Sequence, residues 1–456
     1  MDILCPEDFQ ILDKYARRVK HLRLEISPPT GGKPDIPSYM YLMILQYHPS
    51  PLFPRLEKLS IIDSNGQRHS RHESALLALS PSLQCVSLED IHQSAEVFTA
   101  ILLYNISIEA PRLPVLRLSG LLQDKILDEV YSFQFLETLH LGLARSLLRV
   151  NTLDAISQMT KLKYLSIKFD NHPPLSSTWT RAFLFNALQV LTLDGALEEI
   201  TRTLRAIDTP HLHTISLKFH SPEPSKKTAP LLDCIRRCGL TSPFLHTVKL
   251  WFARTYKQLP WNILSPLSTR TGLRRLDFHC GSMSLFEGNL MAACVDGQWR
   301  SLESLTIQPT DRRQGDMVLP TTALSAISEW CPRLKFLHTS VVIPHSLQAI
   351  DDLEFELTHR PHPFHGLEEL RIDAISRTPT DAEIVDAAFQ TYVEMLYPNL
   401  RTTKISFLKG WTMESEIDSI ADDLQIFRIF SEPVEVPTST SPTDSNQEVV
   451  DNLESN

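Results

Sequence analysis

At 456 residues, with 42% apolar and 21% charged side chains, the chain can bury a sizeable core but is too long for a single ordinary one. Its net charge of −10 is uneven: Glu414–Asn456 holds eleven acidic residues and one basic residue, Arg428, so residues 1–413 balance at 43 of each sign. A balanced body excludes general nucleic-acid binding, which needs a basic face to release counterions.

In chain order, the first ten residues (MDILCPEDFQ) show no basic stretch followed by an apolar one, so no signal peptide is expected. No apolar run anywhere nears the roughly 18 residues of a spanning helix, so no membrane partner is expected. The seven cysteines are odd in number and scattered, which reads as reduced thiols in a cytoplasmic or nuclear protein.

After a lead of residues 1–18, a short pattern, L-x-x-L-x-L, recurs about fourteen times between Val19 and Ile405. It opens as VKHLRL at Val19. LEKLSI follows at Leu56, LQCVSL at Leu83, LPVLRL at Leu113, LETLHL at Leu136, LKYLSI at Leu162, LQVLTL at Leu188 and LHTISL at Leu212. Then come LHTVKL at Leu245, LRRLDF at Leu273, LESLTI at Leu302, LKFLHT at Leu334, LEELRI at Leu367 and LRTTKI at Leu400. The starts lie 23 to 37 residues apart.

The fourth and sixth places of the pattern are two residues apart, so on a strand they share one face. The first Leu turns in from the approach loop. One such strand cannot bury that face alone, whereas stacked units build a parallel sheet over a continuous apolar layer. Between the strands, Glu73–Leu79, Ser94–Asn105, Leu197–Ile207 and Thr321–Trp330 repeat apolar residues at helical spacing. A last helix is expected from Thr380, whose Thr380-Asp-Ala-Glu383 is a capping-box pattern, through Tyr397. A Pro often precedes the next strand, as in TPHL, SPFL, CPRL and YPNL, where its fixed φ suits an extended approach.

The expected fold class is therefore α/β, a leucine-rich-repeat solenoid over residues 19–413. It should form an irregular right-handed arc with the parallel sheet concave and the helices convex. Many such repeats carry Asn or Cys three residues after the last strand Leu to bond neighbouring loops. None of the fourteen does here; Ser64, Leu121, Ala144, Asp170, Ala196 and Ala253 stand there, so the loops must be satisfied otherwise. Ser221–Ala229 and Ser376–Thr380 read as loops. Residues 414–430 form an acidic segment that could be helical, and 431–456 a disordered acidic tail.

Chemistry is sparse. His211, His213 and His220 sit around one strand, but no third and fourth metal ligands accompany a pair. His359, His362 and His365 share a Pro-containing surface loop, and Cys234-x-x-x-Cys238 lacks a matching pair. Gly31-Gly32-Lys33 lacks the framing of a phosphate loop. No metal, cofactor or catalytic constellation is expected, so the chain reads as a non-enzyme. The sheet face carrying the third, fifth and seventh places is the better candidate. Its central units are small and hydroxylated, while its flanks carry cations. Arg117, His140, Tyr164, Lys168, Lys249, Trp251, Arg275, Asp277, His338 and Arg371 make the candidate protein-binding face, with Phe336 beside them. The alternative is an enzyme or enzyme activator built on repeats, such as a GTPase-activating solenoid, for which Arg254 or Arg312 would serve from a loop.

Pro6-Glu-Asp-Phe9, Tyr15-Ala-Arg-Arg-Val19-Lys-His-Leu22 and the Trp330-Cys-Pro-Arg-Leu334 junction resemble fungal F-box/leucine-rich-repeat proteins over about residues 6–410. The first two match the stretch that joins the F-box to the first repeat. The resemblance implies a substrate receptor of an SCF-type ubiquitin ligase, in which the F-box docks the ligase adaptor and the repeats hold a protein substrate. The residues before Val19 are too few for the F-box, which is not seen in this chain. No adaptor-contacting residue carries over, and the ligase adaptor stays an open partner.

Overall fold

The computed structural model describes residues 6–25, 44, 46, 51–63, 73–144, 148–170, 181–220, 228–240, 242–253, 264–268, 271–280, 299–309, 319–342, 366–375 and 382–408. All lie in the first of two compact units, Met1–Lys409. Thr380 and Asp381 of the expected capping box, the loop at 376–380 and the segments from 414 onward fall outside the described residues.

Seventeen strands are described: β1 (His21–Glu25), β2 (Lys58–Ile62), β3 (Cys85–Ile91), β4 (Val115–Gly120), β5 (Thr138–Leu143), β6 (Tyr164–Phe169), β7 (Phe183–Leu184), β8 (Val190–Gly195), β9 (Ile207–Asp208), β10 (Thr214–Phe219), β11 (Thr247–Phe252), β12 (Arg275–Cys280), β13 (Ser304–Pro309), β14 (Leu319–Pro320), β15 (Phe336–Val342), β16 (Glu369–Ile375) and β17 (Thr402–Leu408). Fourteen of them, one for each motif, pair in chain order from β1 to β17. The two-residue strands stand apart: β14 pairs with β15, and β7 with β9. These were not legible as motifs.

Pairing is parallel and sets motif place against motif place. Leu139 lies opposite Leu165, then Leu191, Ile215 and Val248, and a second row runs through Leu141, Ile167, Leu193, Leu217 and Leu250. Both rows are buried and join one core with the first motif leucines, such as Leu136 and Leu162. Each fully buried Leu contributes about 1.5–3 kcal/mol relative to an exposed one. The stacked rings of Phe219 and Phe252, 4.8 Å apart, extend the same layer, with Phe278 at 5.7 Å from Phe252.

The helices add their inner faces to this core: Leu102, Leu103 and Ile106 from helix Glu96–Glu109, Ile200 and Leu204 from Leu197–Ala206, and Phe389 and Val393 from Ala382–Leu396. The first expected helix is shorter than its pattern, Glu73–Leu76, and the fourth runs Thr322–Trp330. Five more appear, at Pro6–Ala16, Asp124–Val130, Val150–Ser157, Ser265–Ser268 and Thr228–Leu240. The last of these corrects the loop expectation at Thr228–Ala229. Short helices of two turns carry too few residues for a clear period.

Two backbone ladders bind unit to unit. At every strand entry but that of β4, where Pro114 has no N–H to give, the carbonyl of the second motif place accepts two N–H groups from the next unit. Glu137 O takes Lys163 N and Tyr164 N at 2.9 and 3.0 Å, and Lys163 O takes Gln189 N and Val190 N at 2.8 and 3.0 Å. Four exposed ion pairs decorate this edge: Lys20–Glu57, Glu137–Lys163, Arg274–Glu303 and Glu368–Arg401. Each adds little stability. At the strand exit, the place where Asn is absent donates its own backbone N–H to the preceding unit: Leu121 N to Ile91 O, Ala144 N to Gly120 O, Asp170 N to Leu143 O and Ala253 N to Phe219 O. That is how the loops are satisfied.

The prolines before the strands do not sit in an extended approach. In TPHL, SPFL, CPRL and YPNL the residue before Pro accepts the N–H of the motif Leu, as in Cys331 O with Leu334 N at 2.9 Å. This is a β-turn with Pro at its second position, where its fixed φ is already correct.

β3 carries a bulge: its register against β4 shifts between Leu88 and Ile91, and Asp90 adopts φ 58°. Gly120 closes against it at φ 122°, where a Cβ would lie 2.3 Å from the Ile91 nitrogen. Gly120→Ala should therefore destabilise the protein by more than the roughly 1–3 kcal/mol of a strained backbone alone. A urea unfolding midpoint equal to that of wild type would contradict this packing.

Candidate functional site

On the face opposite the leucine rows, the register lays out three rows of partly exposed side chains. The fifth-place row runs Arg117, His140, Ser166, Thr192, Ser216, Lys249, Asp277, Thr306, His338, Arg371 across β4 to β16. The ten candidate residues all fall on this face, but they do not form one patch.

The first cluster spans β4 to β8. The His140 and Tyr164 rings lie 5.0 Å apart, and the Tyr164 hydroxyl meets Thr192 Oγ1 at 3.3 Å. Partial burial, and then the Arg117 charge, lower the His140 pKa. The neutral ring is thus favoured beside the exposed Arg117. Lys168 points to solvent at the end of β6 and pairs with Asp170 at 3.6 Å.

The second cluster spans β10 to β16. Trp251, 39% exposed, stacks on His279 with centroids 4.0 Å apart. Lys218 Nζ sits 5.9 Å over the indole. Lys249 lies 3.6 Å from Asp277. Farther along, Gln308 bonds His338, and Asp373 lies 3.9 Å from the same imidazole. Arg371 pairs with Glu369 at 2.6 Å and covers the Phe336 ring at 5.4 Å. Arg275 stands at the strand entry, beside Thr247 and Ser304 and away from the Trp251 stack.

Lys218, His279, Gln308 and Asp373 were not among the expected site residues. All but the stacking itself could have been found, because each occupies the seventh motif place. The geometry also sorts the histidines. His211 and His213 both pack on Phe244, and His213 stacks on His246 at 5.4 Å, whereas His220 pairs with Asp194 at the far end of β10. The three do not converge, and among the described residues no group of three His, Cys, Asp or Glu is arranged to hold a metal. Burial raises the Cys280 thiol pKa well above its usual value and pushes Cys331 up to about 12, so neither is a nucleophile at neutral pH. His359, His362, His365, Arg254, Arg312 and the glycines at 31 and 32 lie outside the described residues. No helix among those described is long and apolar enough to cross a membrane.

The fold is a leucine-rich-repeat solenoid. No family model and no curated protein matches the sequence. Among solved structures, a leucine-rich-repeat protein of Leptospira interrogans aligns over 87% of this chain and 81% of its own, at 15% identity and a TM-score of 0.34. At that similarity the fold assignment rests on this chain's own motif, register and strand–helix alternation.

Burial lowers the His279 pKa from 6.5 to about 4; Asp277 opposes this shift, and His338 and Lys249 reinforce it. The unfolded chain therefore takes up this proton first. Stability from the neutral ring is complete above pH 6.5 and is lost as pH falls toward 4. Relative to His279→Gln, wild type should lose at most about 3 kcal/mol across that interval, read by denaturant unfolding at each pH. Parallel pH profiles for the two proteins would rule the assignment out.

Proposed function

We propose that the chain is a non-catalytic protein-interaction scaffold whose open sheet face holds a protein partner. The observation that carries this reading is the composition of the two clusters. An indole and a phenol stand partly exposed on a rigid sheet, with Lys218 held over the indole and small hydroxylated residues between the two rings. Aromatic and arginine anchors fixed in place lose little entropy on binding and dominate contact energies in protein interfaces. The sheet backbone beneath them is already paired on both sides, so binding requires no folding step.

The finer reading is that this face corresponds to the substrate-holding part of an SCF-type ubiquitin ligase receptor, working in the cytoplasm or nucleus. Its support is the N-terminal stretch that resembles the F-box junction, folded here as helix Pro6–Ala16 leading into β1. Reduced thiols at Cys85, Cys234, Cys280 and Cys331 accord with an intracellular compartment.

Affinity capture with quantitative proteomics, comparing wild type with Trp251→Ala and Tyr164→Ala, tests the site. A genuine open-face partner should bind about tenfold or more weakly to at least one variant, while both variants keep wild-type circular dichroism. Recovery of the ligase adaptor with wild type supports the receptor reading. Recovery of a GTPase whose hydrolysis the chain accelerates, with every partner indifferent to both variants, sinks the scaffold assignment.

A further inference from the structure

Helix Glu96–Glu109 differs from its neighbours on its outer side. Its inner face buries Thr99, Leu102, Leu103 and Ile106. Its outer face should then be polar, as in helix Asp124–Val130, whose exposed residues are Lys125 and Asp128. Instead, Val97, Ile101, Tyr104 and Ile108 are 57%, 49%, 53% and 56% exposed. Glu109 is the only other exposed residue of this helix. The helix is thus apolar on both sides, although tertiary packing requires only one.

The four exposed residues follow a 4-3-4 spacing, which places them on one seam of the kind that packs two helices side by side. The spacing also reads the same in both directions. Two copies laid antiparallel about a two-fold axis would set Val97 against Ile108 and Ile101 against Tyr104 along the whole seam. The positions flanking the seam are Phe98, Ala100, Asn105 and Ser107, none of them charged. Along the seam two copies therefore meet without like-charge repulsion, with Glu96 and Glu109 brought near each other only at its ends, and the flanks offer no charge by which a different, charged helix would be selected.

We infer that this helix face is a self-association surface, pairing antiparallel with the same helix of a second copy of the chain. This inference stands apart from the open-face reading and uses none of its residues. Four half-exposed side chains present on the order of 300 Å² of apolar surface, the size of a functional patch on a monomer. A stable dimer buries about 800 Å² per partner. The pairing is accordingly weak, with a dissociation constant on the order of 10–1,000 µM.

Sedimentation equilibrium of the full chain from about 5 to about 500 µM tests it. The weight-average mass of wild type should rise toward the dimer across that range. Ile101→Glu and Tyr104→Lys, both on the solvent side, should each stay monomeric with wild-type circular dichroism. An equimolar mixture of the two variants should associate again, because antiparallel pairing sets the introduced carboxylate of one copy against the introduced ammonium of the other. Wild type that stays monomeric throughout overturns the proposal and leaves the face to a different partner. Self-association of both variants equal to wild type overturns it as well, and a mixture that does not associate rejects the antiparallel arrangement.

Discussion

Between successive motif strands, with the β3–β4 junction at Pro114 as the exception, one carbonyl at the strand entrance accepts two backbone N–H groups from the unit that follows. Neither donor has another place in its own unit, and an unpaired buried amide is costly. Each repeat is therefore completed only by its neighbour, both in hydrogen bonding and in the burial of its leucines. The side chains around this contact vary from Lys20 to Pro114 to His213 because the bond is made by backbone alone. The same holds at the strand exits, where Leu121, Ala144, Asp170 and Ala253 donate N–H groups at the place where many repeats carry an amide side chain. Loop length and loop sequence are thereby released from the ladder, and units of different length share one sheet.

That division of labour leaves the third, fifth and seventh motif places free of structural duty. Some of these places hold short polar residues, such as Ser166, Thr192 and Ser216. Others, on β4 to β8 and again on β10 to β16, hold rings and charges, and these make cross-strand contacts instead of simply facing water. His140 and His279 both have lowered pKa values because burial disfavours the charged ring, reinforced by Arg117 at His140 and opposed only by Asp277 at His279, so neutral imidazoles stack beside cations. Lys249 and Arg371, read from the sequence as positive groups, are each matched by a carboxylate, Asp277 and Glu369. The expected cationic flank is thus largely neutralised, while the aromatic content of the face is kept.

Much of this architecture is legible in the sequence because the motif assigns one task to each place. Leu136, Leu139 and Leu141 must all point inward for any of them to be buried, and that fixes Thr138 and His140 outward. The same period assigns His279 to the open face as readily as Trp251. That the two rings stack depends on the registration of β11 against β12, which no pattern within one chain segment contains. The bulge at Asp90 was illegible for a related reason. One added residue shifts the local register without disturbing the leucines on either side. Helix Glu96–Glu109 was legible as a helix from its spacing, but exposure of its second apolar face depends on which side the sheet occupies. The prolines before the strands were read with the right φ and the wrong continuation, since the closing bond to the motif Leu forms only once that Leu is anchored in the core.

The small residues at the fifth places of β8 and β10, Thr192 and Ser216, have a consequence of their own. From Tyr164 on β6 to Lys249 on β11 the path crosses β8 and β10, three strand spacings or about 14 Å. An extended peptide covers that distance in about four or five residues. Along that row the sheet is thus a fixed ruler with a grip at each end and small side chains between, while the charges of Asp194 and Lys218 lie at the strand ends. A ligand whose own anchors match that interval gains the second contact at a high effective concentration once the first is made. A ligand with one anchor, or with two at another spacing, gains only a single weak contact. Selectivity in such a surface comes from distance, and the small residues in the middle keep that distance free of competing footholds.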